Sequence, residues 1–309
     1  MKNNEETYHI PVLLNECIDA LDIRPDGRYV DVTFGGGGHS REIFKLLGEK
    51  GHLIGFDQDP DAKNNAWDAA NFTFIAGNFA YLKNQLRMFG LLPVDGILAD
   101  LGVSSHQFDS GERGFSIRMD DELDMRMNQS GKLTARYVVN EYDEENLYRV
   151  LREYGEVQSL KRTVEAIVRA RQIEPIITTG QLKEVIQPIA QKGKEHKFLA
   201  QVFQAIRIEV NDEINVLKKM LEQAVEVLKP GGRLVVISYH SLEDRLVKNF
   251  MKRGSFDGKI EKDFYGNIVK PLEEVNRKPI LPSDEEMERN SRSRSAKLRI
   301  AVKLDTGVK

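Results

Sequence analysis

Cysteine is nearly absent from this chain: Cys17 is the single one among 309 residues. That excludes a disulfide within the chain and a zinc site built on cysteines, and it fits a reducing compartment. Long apolar runs are missing too. None approaches the roughly 20 residues needed to cross a bilayer. Residues 1–8 are polar, without the apolar stretch of a secretion signal, so a cytoplasmic protein is the expectation. Neither sign of charge dominates, because 45 Lys and Arg face 48 Asp and Glu for a net −3. The chain as a whole does not advertise itself as a nucleic-acid binder. No glycine loop ends in Gly-Lys-Ser/Thr, which argues against a P-loop. The six histidines do not fall at ligand spacing with nearby acids, and no metal site is expected.

What is present is a strand, a glycine cluster, a helix, and a second strand ending in an acid. Tyr29 to Phe34 lead into Gly35-Gly36-Gly37-Gly38, then His39-Ser40 open a helix, and His52 to Phe56 run into Asp57. Phe72 to Ala76 read as a third strand, with Asn78-Phe79 just beyond it, and Gly96 to Ala99 as a fourth that ends at Asp100. A polar helix is expected after Pro60, and another over 80–89 with a cap at Gly90. This alternation predicts a parallel sheet with helices on both faces. From about residue 108 to 205 only helix signals appear. Leu147, Val150, Leu151 and Tyr154 have helical spacing, as do Val164, Ile167, Val168 and the stem of Arg171. Thr178 with Gln181 has the form of a capping box before Leu182, Val185, Ile186 and Ile189. Phe203 to Leu228 then make one long apolar stripe, stopped by Lys229-Pro230-Gly231-Gly232. Leu234 to Ser238 form a buried strand that ends at Tyr239-His240-Ser241. Residues 254–290 are polar with few regular signals, and Ala296 to Val302 alternate as a last sheet strand. The expected organisation is an α/β core over 1–107 and 206–309, with an inserted all-helical domain over 108–205.

In an open parallel sheet, ligands bind outside the carboxyl ends of the strands. Four polar signals fall there: the glycines, Asp57, Asn78-Phe79 and Asp100. An acid nineteen residues past Gly38 suits the hydroxyls of a ribose, although a turn acid before Asp59-Pro60 would look the same. A dinucleotide loop needs a third glycine to close its helix on the pyrophosphate, and Ser40 stands there instead. The loop better suits S-adenosylmethionine, whose methionine and adenosine parts need close backbone approach. Phe79 is either an adenine platform or a core aromatic. Asp100 is the first candidate for a group beside the methyl donor, or else a structural acid capping Ser104 or Ser105. His240 could orient substrate or be structural. Arg207 and Asn211 share one face of a helix, as a site-facing pair or a solvated shoulder. Basic residues that could hold phosphates are Arg113, Arg118 and Arg126, and near the last strand Arg292, Arg294, Lys297 and Arg299.

Several strings are more specific. They are His9-Ile10-Pro11-Val12-Leu13-Leu14-Asn15-Glu16, the Gly-Gly-Gly-Gly-His-Ser loop, Asp100-Leu101-Gly102-Val103-Ser104-Ser105-His106-Gln107 and Glu112-Arg113-Gly114-Phe115-Ser116. Leu123-Asp124-Met125-Arg126-Met127, Phe203-Gln204-Ala205-Ile206-Arg207, Ser238-Tyr239-His240-Ser241-Leu242-Glu243-Asp244-Arg245 and Ser293-Arg294-Ser295-Ala296-Lys297-Leu298-Arg299 complete the set. Together, from about residue 8 to 302, they resemble the bacterial small-subunit ribosomal RNA cytosine-N4 methyltransferases, the RsmH or MraW family. The resemblance implies a Rossmann-like S-adenosylmethionine-dependent sheet with an inserted helical domain. It implies methylation of N4 of a cytidine in the decoding region of small-subunit rRNA, with the 30S subunit as the expected partner. It carries the cofactor motif onto Gly36, Gly37, Gly38, His39, Asp57, Phe79, Asp100 and Gln107. Among these, Asp100 is also a catalytic candidate, with His240 and Asn211. Arg113, Arg292, Arg294 and Lys297 are the RNA-binding candidates. The chain departs from the family at Ser291 and His106, where proline is common. It also lacks the Pro-Pro-aromatic run that many amino-methyltransferases place after this acid, so Phe115 or Tyr239 could supply a base-stacking platform, or polar contacts could hold the base. Rival readings are a DNA or small-molecule N-methyltransferase, a cofactor-sensing RNA-binding protein without catalysis, and, more distantly, a nicotinamide oxidoreductase.

Overall fold

The structure is a computed structural model that describes residues 11–103, 113–260, 262, 266 and 269–305. It divides into two compact units, Met1–Gly102 with Asn215–Lys309, and Val103–Ile214. No described helix is long and apolar enough to cross a membrane.

The first unit is built on a seven-stranded sheet of order β3-β2-β1-β4-β5-β7-β6. The strands are β1 (Arg28–Asp31), β2 (His52–Asp57), β3 (Phe72–Ala76), β4 (Val94–Asp100), β5 (Leu228–Ser238), β6 (Leu272–Glu274) and β7 (Lys297–Lys303). β3, β2, β1, β4 and β5 are parallel. β7 runs antiparallel between β5 and β6. The central strands are near-continuous apolar runs because both faces are covered, as parallel sheets require. Side chains alternate between the faces. Val30, Ile54, Ile97 and Leu234 point to one side, where they meet Leu217, Met220, Leu221 and Ala224 of helix Glu213–Val227 and Val247 and Phe250 of helix Ser241–Arg253. Tyr29, Leu53, Leu98 and Val235 point to the other, against Cys17 and Leu21 of helix Leu14–Leu21 and Ile43 of helix Gly38–Lys45. Fully burying an aliphatic side chain of this size stabilises a fold by roughly 1.5–3 kcal/mol, which makes this two-sided core the main reason for the architecture.

The second unit carries its own core. Leu147, Val150, Leu151, Val164, Ile167, Leu182 and Ile186 are buried together, with Tyr154, Val168, Val185 and Ile189 packed against them. The helical spacing in the sequence therefore marked the inward faces of helices Glu144–Gly155, Leu160–Ile173 and Thr179–Ile186. The stem of Arg171 is half-buried, and its Nη1 reaches the carbonyl of Val139 at 2.8 Å. The capping box is present: Thr178 Oγ1 accepts from the Gln181 amide, and Gln181 Oε1 accepts from the amide of Thr178.

Several local expectations differ from the structure. The single apolar stripe from Phe203 is two helices, Glu195–Asn211 and Glu213–Val227, broken where Asp212 adopts a left-handed backbone with φ 51°. Phe203 and Ile206 pack in the helical core, whereas Leu217 onward pack on the sheet. The units accordingly meet in sequence at Ile214 rather than 205, and at Val103 rather than 108. The turn after Pro60 is a 3-10 helix, Pro60–Asn65. The 80–89 helix begins as a 3-10 turn at Phe79–Tyr81 and is α-helical over Leu82–Met88. The polar 254–290 stretch holds the edge strand β6 and a short helix Asp284–Arg289. A three-residue strand is too short to show alternation.

Candidate active site

Polar side chains gather at the carboxyl ends of β1, β2, β4 and β5. β1 and β4 are the neighbours between which the strand order reverses, the place where such sheets bind ligands. β1 pairing continues past Asp31, with the Val32 amide on the Leu98 carbonyl at 2.9 Å and the Phe34 amide on the Phe56 carbonyl at 2.8 Å. The chain then turns sharply into the glycines. Gly35 has φ 50° and Gly37 φ 74°, which glycine adopts at no steric penalty. A Cβ on Gly38 would lie 2.3 Å from Pro11 Cγ, and one on Gly37 3.0 Å from the Phe34 ring; one on Gly36 would meet nothing within 4 Å. The loop is thus closed on its protein side and open at Gly36.

Asp57 braces this loop. Its Oδ2 accepts the Gly35 amide at 2.8 Å, and its Oδ1 accepts the Asp59 amide at 2.8 Å. Asn65 Nδ2 donates to the Gly35 carbonyl at 3.0 Å. Burial raises the Asp57 carboxyl above the usual range, and the Asp59 and Gly35 amides oppose that rise. At the end of β3, Asn78 Oδ1 caps the 3-10 turn through the Ala80 amide at 2.8 Å, and its Nδ2 donates to Gln58 Oε1 at 2.7 Å. Phe79 is half-buried and packs against the sheet core.

Asp100 at the end of β4 is held from both neighbouring strands. Its amide donates to Thr33 Oγ1 at 2.7 Å, and Tyr239 donates its hydroxyl to Oδ1 at 2.7 Å. Oδ2 lies 3.9 Å from Nδ1 of His39, and the Asp100 side chain keeps 24% of its surface exposed. His39 is buried, with Nε2 3.1 Å from the Val12 carbonyl. A carbonyl only accepts, so Nε2 carries the proton and Nδ1 is left as a lone pair. Burial lowers the His39 pKa to about 4, so the ring is neutral at neutral pH. Burial raises Asp100 to about 7, with Asp31 and Glu243 adding to the rise and the Tyr239 bond opposing it. Asp31, only 2% exposed, accepts from Ser40 Oγ at 2.7 Å and from the Thr33 amide at 3.1 Å. Burial raises its pKa to about 6. Two acceptors, Asp100 Oδ2 and His39 Nδ1, therefore face each other across a gap that a hydrogen-bond donor could bridge.

The other candidates lie elsewhere or are already occupied. Gln107 falls outside the described residues. His240 caps helix Ser241–Arg253, with Nδ1 accepting the Glu243 amide at 3.4 Å; its Nε2 lies 3.1 Å from Glu243 Oε1 without the alignment of a hydrogen bond. Asn211 is spent on backbone of the helical unit. Its Oδ1 accepts the Met127 amide at 2.7 Å, and its Nδ2 donates to Met125 O at 2.8 Å and Arg207 O at 2.9 Å. Arg207 is paired with Glu213 at 2.8 and 2.9 Å. Arg113 is 8% exposed, with its guanidinium 5.8 Å from the ring centre of Phe115 and Nη1 3.4 Å from the Met127 carbonyl. Phe115 is itself buried in the helical core. Arg292 and Arg294 are exposed on the 3-10 turn Ser291–Ser295. Lys297 is half-buried and reaches Asp244 at 3.3 Å, beside Arg299 at 2.6 Å from the same carboxylate. Sequence reasoning passed over Asp31, Thr33, Ser40 and the hydroxyl of Tyr239. An acid inside an apolar strand was the available signal for Asp31, since buried acids need partners.

The profile of the MraW methylase family matches residues 6–304. The ribosomal RNA small subunit methyltransferase H of Parabacteroides distasonis is 58% identical over 305 residues, which cover 98% of this chain and 100% of the relative. Its namesake in Bacteroides thetaiotaomicron is 57% identical over 98% of this chain and 100% of its own length. That of Flavobacterium johnsoniae is 58% identical over 96% of this chain and 98% of its own.

Proposed function

This chain belongs to the MraW methylase family, and from that premise we propose that it methylates small-subunit ribosomal RNA with S-adenosylmethionine, at N4 of a cytidine in the decoding region and within the 30S subunit. The observation that carries this reading is the conjunction of an open glycine loop after β1, braced by Asp57 from β2, with the Asp100 acceptor at the end of the neighbouring β4. The residues fit the cofactor. Gly36 leaves room for close approach, the Asp57 carboxylate retains lone pairs for ribose hydroxyls, and Asp100 Oδ2 with His39 Nδ1 offer acceptors to an ammonium or an amine. Gly37, Gly38, Phe79 and Gln107 complete the assigned cofactor contacts.

S-adenosylmethionine supplies a methyl group already activated on a sulfonium. The chain's own task is to align the target and exclude water. A cytidine N4 amine is a poor nucleophile because its lone pair is delocalised into the ring. An acceptor beside it draws on an N–H and frees that pair, and Asp100 is assigned this place. The surplus proton on the methylated nitrogen is lost readily, so no strong base is needed. His240 and Asn211 are assigned supporting roles, His240 as the cap that orders Glu243 and Asn211 as a strut of the helical unit. Arg292, Arg294 and Lys297 are assigned phosphate contacts, and the helical unit is assigned to holding rRNA.

The test is transfer of tritiated methyl to small-subunit rRNA, with mass mapping of the product nucleoside. Incorporation at a cytidine as an N4-methyl group is expected, and both Asp57→Ala and Asp100→Ala should abolish it. Label at another base or position would overturn the assignment, as would full methylation by the Asp57 variant.

A further inference from the structure

We propose that Tyr239 is a positioning residue for Asp100: its hydroxyl engages Oδ1, favours the anionic form of the carboxylate, and leaves Oδ2 as the acceptor on the side of His39. The inference rests on the activity proposed above for the assignment of Asp100, but not for the contact itself. The hydroxyl lies 2.7 Å from Oδ1. Among the described residues it is the one side chain that donates to this carboxylate. Every other described titratable group facing Asp100 is unhelpful to a negative charge. Asp31 faces it from the end of β1 and Glu243 from helix Ser241–Arg253, both raising its pKa. Cys17 lies near it on helix Leu14–Leu21, its thiol pushed up by burial and then by Asp100. His39, on helix Gly38–Lys45, presents a neutral ring with a lone pair at 3.9 Å. Among the described residues no cation balances the anion, and there the phenol hydroxyl supplies the stabilisation that a salt bridge would supply elsewhere.

Tyr239 is built for this task. Its backbone amide is tied to Glu243 Oε2 at 3.1 Å, and its ring packs against the buried cluster beneath β5. Its own pKa is raised well above 10, by burial first and then by Asp100, so the hydroxyl remains a donor across the working pH range. A carboxylate gripped at Oδ1 cannot swing about its χ2, and Oδ2 is left pointing at the His39 side. The geometry thus separates the two oxygens into one for the protein and one for the ligand.

The test compares the native chain, Tyr239→Phe, and a chain carrying 3-fluorotyrosine at 239, which keeps the shape but is a stronger donor. Carbon-13 NMR of aspartate carboxyls, with Asp100→Asn to assign the resonance, follows Asp100 through pH without cofactor or RNA. The midpoint should rise in Tyr239→Phe by about 1–2 pH units, the size expected for one hydrogen bond to a charged group, and fall with the fluorinated ring. In methyl-transfer assays on the same proteins, the rising limb of the kcat profile should move with it. Tyr239→Phe should then be at least several-fold slow at pH 6.5 and within about twofold of native at pH 9. Unchanged midpoints, or a loss of rate that is the same at every pH, would overturn the proposal. Should the native chain transfer no methyl at all, the activity reading fails, while the NMR comparison still decides the role of Tyr239.

Discussion

The two units use half-buried and buried polar groups in opposite ways. In the helical unit, such groups are consumed by the fold. Asn211 ties down the backbone of Met125 and Met127, Arg126 holds Asp124 and the carbonyls of Gln129 and Gly131, and Asn140 spans to Ile176. In the sheet unit, the polar groups at the strand ends keep spare capacity. Asp57 and Asp100 have lone pairs left over, and Asp31, His39 and Asp100 all have pKa values displaced by burial. A satisfied buried network rigidifies a fold, whereas displaced titratable groups with an open side are what a site requires. The contrast is why the proposed chemistry is assigned to the sheet unit, while Asn211 and Arg113 are engaged in backbone and ring contacts of the helical unit.

The sharpest way to break this contrast is to exchange the expected effects. Asp57→Ala should lower affinity for adenosylhomocysteine at least about 100-fold by calorimetry, the loss of a half-buried carboxylate assigned to the ribose. A change below threefold would remove Asp57 from the site. Asn211→Ala should do the reverse. Removing its amide orphans the Met127 N–H, at a cost of about 1–3 kcal/mol in the unfolding of the helical unit, with adenosylhomocysteine affinity altered less than twofold.

Asp100→Asn tests whether the site stores a penalty. The carboxyl has a folded pKa of about 7, above its ordinary value, so the folded state binds its proton more tightly than the unfolded chain does. Its contribution to stability is therefore greatest at low pH and falls as pH rises from about 4 to about 7. The asparagine variant should be more stable than native by about 1–3 kcal/mol at pH 8, and the advantage should vanish near pH 4 in denaturant titrations of the sheet unit. An advantage independent of pH would contradict the displaced carboxyl. The smallest effect is expected at the surface. Replacing Arg292 and Arg294 with alanine should weaken rRNA binding several-fold and reduce the slope of log K against log salt by about 1–2. Arg113→Ala should leave that slope unchanged, because its guanidinium is buried over Phe115.

Much of the fold was visible in local pattern. Leu147, Val150 and Leu151 repeat at helical spacing because one face of helix Glu144–Gly155 is buried, and Thr178 with Gln181 caps helix Thr179–Ile186 from residues three apart. The strand-end acids Asp57 and Asp100 stood out because charge after an apolar run is rare without a purpose. The break at Asp212 was not visible. Its neighbours carry apolar residues at helical spacing on both sides, and only the competition of two separate cores for Phe203 and Leu217 shows where the helix must turn. Asp31 showed only as an acid inside an apolar strand, because its partner Ser40 meets it only once the loop has folded back.

Sequence alone determined which residues could be apolar faces, caps and turns, and which acids closed the strands, because these depend on neighbours within a few positions. Only the tertiary structure decided that Tyr239 meets Asp100, 139 residues away, and that Asn211 meets Met127 across 84. Hydrogen bonds and pKa values depend on which groups share a buried volume, and chain separation carries no record of that.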